Sequence, residues 1–368
     1  MRILIAGDYV PQYRIQNLIE NNDFSFFDQT RNLTREMDFA IVNLEAPIYD
    51  GKCKPIQKFG PNLKSTPKVI ESLKYGGFNV VTLANNHIMD YGAKSLKETE
   101  TLLNKAGILH VGTGKNLKEA GKTLYLEKNE KRLAIINCCE NEFSIAEYNK
   151  PGANPLNPIK QFHAIQEAKE RSDYILVIVH GGHEHWQLPS PRMVETYRFF
   201  IDAGADAVIN HHQHCYSGYE VYKNKPIFYG LGNFCFDTSQ PLDFLYEGFA
   251  VELNFKENLN FNILPYNQCK DNVKINFLET DTFNKRLIEL NEIIQNPDKL
   301  RIETDKYYSS FNSFIDESLQ PYNNRLLRKL YSLKLIPKLF RGRKFKILED
   351  LILCESHRDK VSYYLKNK

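Results

Sequence analysis

The run YILVIVH at residues 174–180 is apolar without interruption until it ends in a histidine. Continuous apolar runs of this length are typical of strands in a parallel sheet that is covered on both faces. Four further runs are similarly apolar and end in potential metal ligands: RILIAGD at Asp8, FAIVNLE at Glu45, VVTLANNH at Asn86 and His87, and DAVINHHQH at His212 and His214. The sequence therefore predicts an α/β fold with its chemistry at the strand ends.

In an open α/β sheet, ligands bind in the crevice beyond the carboxyl ends of the strands. Seven of the ten histidines lie at or beside these predicted strand ends: His87, His180, His183, His185, His211, His212 and His214. Imidazoles combined with carboxylate and amide oxygens suit Mn, Zn or Fe better than Mg or Ca. We therefore expect a site for one or two divalent transition-metal ions.

The order of helix and strand signals predicts the domain organisation. Helices and strands alternate over the first two-thirds of the chain, with helix starts indicated by Asn157-Pro158, by Ser190-Pro191 and by a capping box of Ser95 and Glu98. From about Lys225 the pattern indicates strands without helices between them, which predicts a second, antiparallel-rich sheet. We expect a domain over residues 1–280 and a helical region over 281–368.

Composition excludes several classes of protein. The chain has 368 residues, of which 42% are hydrophobic and 25% charged, as in an ordinary globular protein. A net charge of +3 is too small to indicate a nucleic-acid partner. The seven cysteines form no CxxC pair, so we expect reduced thiols. The opening MRILIAGDYV has no apolar stretch long enough for a signal peptide or a membrane helix, so we expect a cytoplasmic protein.

Most of the candidate ligands also have a structural explanation, and Glu45 is the exception. Asp8 could cap a helix or turn. Glu45, at the end of a buried strand, would need a partner charge or a metal. The pair Asn86-His87 could form an ordinary turn. Asp90 could either orient the imidazole of His87 or cap the next helix, and the sequence leaves both open.

The remaining histidines pose a geometric problem. His180 could be a core residue whose ring nitrogens are hydrogen-bonded within the protein. However, Gly181 and Gly182 after it allow the backbone to approach a neighbour closely. His212 and His214 would face opposite ways in an extended strand, so both can be used only with two ions or a bent loop. His211 and Glu184 are additional candidate ligands, and His183 and His185 are candidates for surface or substrate-facing positions.

Together these motifs resemble the poly-γ-glutamate capsule biosynthesis family, CapA, whose fold is similar to that of the calcineurin-like metallophosphatases. The resemblance covers roughly residues 1–270. It rests on GD at 7–8, NLEAP at 43–47, LANNHIMDYG at 83–92, HGGHE at 180–184, GADAVINHHQH at 204–214 and FYGLGNFCFD at 228–237. It implies a four-layer α-β-β-α sandwich with the site at one sheet edge, followed by a helical C-terminal appendage.

The resemblance also implies a role for each candidate residue. Asp8 and His214 look like ligands of a first metal ion, and Glu45 occupies the position of the bridging aspartate. The second ion's ligands would be Asn86, His180 and His212. His87 resembles the histidine that assists the leaving group.

Two positions depart from the metallophosphatase pattern. Those proteins usually have a histidine two residues after the first aspartate, where this chain has Val10. Glu45 in place of aspartate lengthens the bridge by one methylene. The first ion would lose a nitrogen ligand. The departures therefore predict either a single ion or two ions of which one is weakly held, and Glu184 or water could complete the ligand set.

Two functions are consistent with this pattern. The first is a metal-dependent, phosphoesterase-like hydrolase in the synthesis of a capsule or other surface polymer, acting on an anionic polymer or a phosphoester. The second is a non-catalytic assembly factor that binds polymer or capsule synthesis enzymes. In the hydrolase, His87 and Asp90 would be catalytic, and Arg14 could hold an anionic substrate group or form only a surface salt bridge.

The segment at residues 321–348 is strongly basic. It contains no acidic residue and nine basic ones: Arg325, Arg328, Lys329, Lys334, Lys338, Arg341, Arg343, Lys344 and Lys346. In LLRKLYSLKLI the apolar residues fall largely on one helical face until Pro337. Such a helix could lie on the anionic inner face of a membrane or pack its apolar stripe against the preceding domain.

Overall fold

A computed structural model describes residues 1–49, 51–58, 60–238, 242–256, 259–278, 281–322, 324–353, 357 and 361. The chain forms two compact units, Met1–Leu300 and Arg301–Lys368. The first unit contains every candidate ligand. Within the described residues, no helix is both long enough and apolar enough to cross a membrane.

Sixteen strands are present in the described residues. They are β1 (Arg2–Val10), β2 (Phe39–Leu44), β3 (Val80–Thr82), β4 (Leu109–Val111), β5 (Thr113–Gly114), β6 (Leu124–Lys128), β7 (Lys131–Cys139), β8 (Gly152–Ala153), β9 (Tyr174–His180), β10 (Ala207–His211), β11 (Tyr219–Tyr222), β12 (Lys225–Phe228), β13 (Asn233–Phe236), β14 (Glu247–Phe255), β15 (Leu259–Gln268) and β16 (Ile275–Phe277).

Twelve α-helices accompany them in the described residues. They are α1 (Arg14–Glu20), α2 (Asp28–Thr34), α3 (Val69–Gly76), α4 (Gly92–Ala106), α5 (Leu117–Ala120), α6 (Pro158–Lys169), α7 (Pro191–Ala203), α8 (Asp281–Gln295), α9 (Pro297–Ser310), α10 (Asn312–Leu319), α11 (Arg325–Ser332) and α12 (Arg343–Leu353).

Most strands belong to two large sheets. The first has the order β16-β15-β14-β1-β2-β3-β4, with β13 also paired to β1. Strands β1 to β4 are parallel, and β14 to β16 extend the sheet in antiparallel fashion. The second sheet has the order β11-β12-β10-β9-β7-β6, in which β7, β9, β10 and β12 are parallel.

The prediction of a separate antiparallel sheet from Lys225 onward is wrong. Strand β12 instead pairs in parallel with β10, β13 pairs in parallel with β1, and only β14 to β16 are antiparallel. The reason is that both large sheets have free edges after the last helix of the alternating pattern. The β11–β12 and β14–β15 hairpins add to those edges, where their backbone groups complete existing ladders.

The two large sheets and their helices form four layers. Ile3 and Leu4 are neighbours in β1 but pack in different cores, since successive side chains in a strand face opposite ways. The core containing Ile3 joins the first sheet to the second sheet, and α6 and α7 pack on the second sheet's other face. The core containing Leu4 lies between the first sheet and α1 to α4. This is the predicted α-β-β-α sandwich.

The helix starts agree with the sequence at two of the three predicted positions. The side chains of Asn157 and Ser190 cap α6 and α7, each with proline as the first helical residue. The predicted capping box is wrong, because α4 already begins at Gly92 and the Ser95 hydroxyl donates to the Gly92 carbonyl inside the helix.

The first compact unit extends further along the chain than the predicted domain. The sequence predicts a boundary at residue 280, whereas this unit continues to Leu300. Helix α8 accounts for the difference, since Phe283, Leu287 and Leu290 are buried in the core shared by the two sheets. In the second unit, α11 ends at Ser332, before the stop predicted at Pro337.

Gly7 permits a close approach that the strand ends require. A Cβ atom on Gly7 would lie 2.0 Å from the carbonyl oxygen of Gly232, the same oxygen that accepts a hydrogen bond from the Asp8 amide. We expect Gly7→Ala to lower the free energy of unfolding by about 1–3 kcal/mol, because overpacking forces the backbone to shift. Urea unfolding of both proteins measures this change.

Gly121→Ala is the matched control. The nearest atom to a Cβ on Gly121 would be 3.4 Å away, and its φ lies outside the left-handed region. Its unfolding free energy should stay within about 0.5 kcal/mol of the parent value. Equal stability of Gly7→Ala and Gly121→Ala would contradict the close-approach explanation.

Candidate metal centre

The ends of parallel strands from both sheets meet at one place in the first unit. The first sheet supplies Asp8 in β1, Glu45 directly after β2 and Asn86 in the loop after β3. The second sheet supplies His180 at the end of β9, and His212 and His214 directly after β10. Register contributes to this convergence, because Asp8 pairs with Asn43 in one sheet and His211 with His180 in the other.

These residues form two groups that share one member. The potential ligand atoms of Asp8, Glu45 and His214 lie within 4.8 Å of one another, and so do those of Glu45, His180 and His212. The imidazole nitrogens Nε2 of His180 and His214 lie 3.4 Å and 3.8 Å from the same Glu45 oxygen. Glu45 therefore stands between two possible ion positions.

The chemistry of Glu45 fits a bound cation. Its side chain is fully buried, and within the described residues neither carboxylate oxygen has a hydrogen-bond partner. Burial and the nearby charge of Asp8 raise the pKa of Glu45 well above its usual value. A buried carboxylate without a hydrogen bond is costly unless a positive charge compensates it. A divalent ion between the two groups would supply that charge.

The histidines of the second group are in the form that binds metals. Burial lowers the pKa of His212 to about 4 and that of His180 well below its usual value, so both rings are neutral near pH 7. His180 Nε2 lies 3.1 Å from His212 Nδ1 and 3.0 Å from the Asn86 side-chain oxygen. These three potential ligand atoms thus lie close together, and a set of two imidazoles and an amide oxygen suits a tetrahedral or octahedral ion.

Three residues that the sequence analysis did not select hold the candidate ligands in place. Asn43 donates to Asp8 at 2.7 Å and lies 3.3 Å from His180 Nδ1. Asn233 Oδ1 lies 2.9 Å from His214 Nδ1, and a Glu142 oxygen lies 3.5 Å from His212 Nε2. Such outer partners set the tautomer and orientation of ligand histidines.

A signal for two of these residues was present in the sequence. Asn43 precedes Glu45 by two positions, so both project from the same face of an extended strand. Glu142 follows β7, a sixth parallel strand, which is followed by acidic residues in the same way as the five runs that were selected end in potential ligands.

The backbone leaves the extended conformation at His212 and His214, so their side chains do not face opposite ways as they would in a strand. Strand β10 ends at His211, and the next residues bend, with φ of 95° at His212 and 57° at His214. His185 across the cavity has φ of 62°. Positive φ is unfavourable for residues other than glycine and is concentrated at functional sites. The structure therefore has the bent loop, and it places the two imidazoles beside Glu45 in separate groups.

His87 is held by a buried pair beside the cluster. Its Nδ1 lies 2.6 Å from one Asp90 oxygen, and the ammonium of Lys58 lies 2.6 Å from the other. The side chains of Lys58 and Asp90 are 1% and 0% exposed. Asp90 therefore orients the imidazole, and the N-cap of α4 is Tyr91. Lys58 was missed because it lies in a loop without regular structure, far from any strand end.

A small cavity opens beside these residues. Its volume is about 170 Å³, and its lining includes His87, Glu184, His185, His214 and Asn233. Burial alone would raise the pKa of Glu184, but the imidazoles of His214 and His212 outweigh it and lower that pKa. His183 lies apart, with its ring beside Trp186.

Three positions hold no ligand atom near the cluster. His211 Nε2 donates to the Ala6 carbonyl at 3.1 Å and so links the two sheets. Arg14 donates to both carboxylate oxygens of Asp237 and to the Cys269 carbonyl. Of the two roles expected for Arg14, this is the salt bridge. These contacts leave its guanidinium unavailable for a substrate anion. Val10 is buried in a small apolar cluster with Ala46 and Leu63.

Comparison with known proteins identifies relatives of this chain. Capsule biosynthesis protein CapA of Bacillus anthracis is 31% identical over 246 residues, which are 64% of this chain and 60% of that protein. PGA biosynthesis protein CapA of Bacillus subtilis (strain 168) is 34% identical over 238 residues, or 64% of this chain and 61% of that protein. The chain spans about three fifths of the length of these two relatives.

Among solved structures, a phosphatase from Mycoplasma pneumoniae aligns with a TM-score of 0.47 and 14% identity, over 77% of this chain and 96% of that chain. A likeness at this level does not bear on activity. The bacterial capsule synthesis protein PGA_cap family matches residues 2–238. Because this match covers more than half of the chain and includes every candidate metal ligand, the chain belongs to the PGA_cap family.

Proposed function

We propose that this chain is a metal-dependent, phosphoesterase-like hydrolase that serves the synthesis of a bacterial surface polymer. The observation that carries the proposal is Glu45, a buried carboxylate without a hydrogen bond that is shared by two groups of potential ligands. A structural carboxylate would be paired with a protein cation or hydrogen-bonded. The two Bacillus relatives are named for the biosynthesis of a capsule and of PGA, and we propose a surface polymer for this reason.

The two ion positions differ in their donors. The group with His180 and His212 offers two imidazoles, with the Asn86 oxygen beside them. The group with Asp8 and His214 offers one imidazole, and Val10 supplies no second nitrogen. Mixed nitrogen and oxygen donors favour Mn, Zn or Fe, and more nitrogen donors give tighter binding of these ions. We expect the second group to hold its ion more tightly.

The chain's own residues would divide the work of hydrolysis. Bound ions would supply Lewis-acid activation of an ester and of a water. Glu45, Asp8 and the three imidazoles would hold those ions. Asp90 would accept the Nδ1 proton of His87, and burial lowers the pKa of His87, so Nε2 of the neutral ring would take up a proton from water before giving it to a leaving group in the cavity. Glu184 lies in the same cavity and could complete the first ion's ligands.

The size of the cavity restricts the substrate. About 170 Å³ is smaller than the pockets that enclose whole small molecules. It suits a single phosphoryl or carboxylate group presented at the end of a larger molecule. A polymer or its precursor would therefore bind with its terminal group inward and its remainder outside.

The alternative is a non-catalytic assembly factor that binds polymer or capsule synthesis enzymes through the same cavity. Val10 favours this alternative, since it leaves the first group with one nitrogen donor. The ordered arrangement of His87, Asp90 and Lys58 opposes it, because a binding site alone does not require an imidazole with a fixed tautomer.

Metal content tests the division into two groups. His212→Ala should reduce the tighter ion by removing one of its two imidazoles, whereas His214→Ala should affect only the weaker ion. Glu45→Gln should reduce both, because Glu45 is shared. Elemental analysis after equilibration with Mn or Zn measures ions per chain, and His163→Ala on α6 is the control. Equal metal content in all four variants and the parent would rule out the proposed centre.

Turnover of a chromogenic phosphodiester tests His87. His87→Ala should retain the metal content of the parent and lower turnover by about 10²–10⁴-fold, the range for loss of a general acid. Lys58→Met should change turnover in the same direction, because Asp90 would lose its buried cation. If metal-loaded parent protein shows no turnover that depends on His87, the assembly-factor alternative is the better account. Loss of metal in His87→Ala would instead make His87 a ligand.

A further inference from the structure

The second unit carries a surface that combines positive charge with exposed apolar side chains. Among the described residues of segment 321–348, Lys338 pairs with Asp316 and Lys346 with Glu349. No other basic side chain of the segment is paired with a carboxylate in the part of the chain that the structure describes. The segment therefore presents most of its nine positive charges unpaired.

Helix α11 separates charge from apolar surface. At 100° per residue, Arg325, Arg328 and Lys329 occupy one arc of the helix. Leu326, Leu327, Leu330 and Tyr331 occupy the opposite arc. The helix is also well defined at its start, where the Asn324 side chain accepts a hydrogen bond from the Leu327 amide. This is an amphipathic basic helix.

The apolar arc is only partly covered. Leu327, Leu330 and Tyr331 are half-buried, and Leu326 is 67% exposed. The residues that follow continue the pattern, since Leu335 is also 67% exposed and Leu339 is 50% exposed. Single exposed leucines are common, but a run of them among basic residues marks an interaction surface.

Contacts within the second unit hold this surface in place. Tyr331 donates to a carboxylate oxygen of Asp316 at 2.5 Å, and Lys338 pairs with the other oxygen. The Phe340 amide donates to the Gln320 side chain at 2.9 Å. These bonds connect α10, α11 and the residues after α11, so the leucines are presented by a folded element.

We propose that segment 321–348 docks this chain on an anionic lipid membrane surface. The basic residues would contact anionic headgroups, and the exposed leucines would enter the interface between headgroups and acyl chains. A soluble polyanion would match the charges but leave the leucines in water. This inference is independent of the proposed hydrolase activity and survives if that activity is absent.

Co-sedimentation of the full-length protein with vesicles tests the proposal. The protein should bind vesicles that contain phosphatidylglycerol and not vesicles of pure phosphatidylcholine, and added salt should weaken the binding. The variant R325Q/R328Q/K329Q should bind on the order of a hundredfold more weakly, from about fivefold for each basic residue near an anionic surface. The matched control K115Q/K118Q/K122Q removes the same charge from exposed positions of the first unit and should bind like the parent.

A second variant separates a membrane from a soluble polyanion. L326Q/L335Q keeps every charge, and both positions are exposed, so folding should be unchanged by circular dichroism. This variant should bind anionic vesicles more weakly than the parent. Undiminished vesicle binding by L326Q/L335Q, with competition by soluble polyglutamate, would assign the surface to a polyanion and overturn the proposal. Equal loss in the charge variant and its control would overturn it as well.

Discussion

The burial of the Glu45 carboxylate is the constraint on which the site depends. Two sheets bring their parallel strand ends together around it, and no described protein group donates a hydrogen bond to it. Buried carboxylates without partners are destabilising, so the fold tolerates Glu45 only with a compensating cation or a bound proton. The neutral imidazoles of His180 and His212 beside it cannot supply that charge, but they can share an ion with it.

Several local features serve this convergence. Gly7 lets the end of β1 approach Gly232, which positions the Asp8 amide on the Gly232 carbonyl. The positive φ angles at His212 and His214 store backbone strain that turns two imidazoles to the same side. Asn43, Asn233 and Glu142 then fix the rings. Strain and polar burial coincide in this region, and a core of equal size could be built without either.

A second polar group lies beside the first, and its carboxylate, Asp90, has partners within the protein. Lys58, Asp90 and His87 form a buried chain in which each Asp90 oxygen has its own cationic or N–H partner. One carboxylate has protein partners and orients an imidazole, whereas no described residue donates a hydrogen bond to the other. The same side-chain chemistry therefore stands in two different environments, and only that of Glu45 calls for a cation or a proton.

The sequence by itself determined the mainly parallel α/β character of the first unit and the choice of most candidate ligands, and the family resemblance implied the four layers. Apolar runs and the residues that end them are local patterns, and parallel strands carry their ends to a common edge, so Asp8, Glu45, Asn86, His180, His212 and His214 could be selected without coordinates. Only the tertiary structure decided the rest. Lys58 and Glu142 join the site through loops, Arg14 is engaged by Asp237 from a distant strand end, and α8 packs back into the first unit. Such contacts depend on where separate segments meet in space, which local periodicity does not encode.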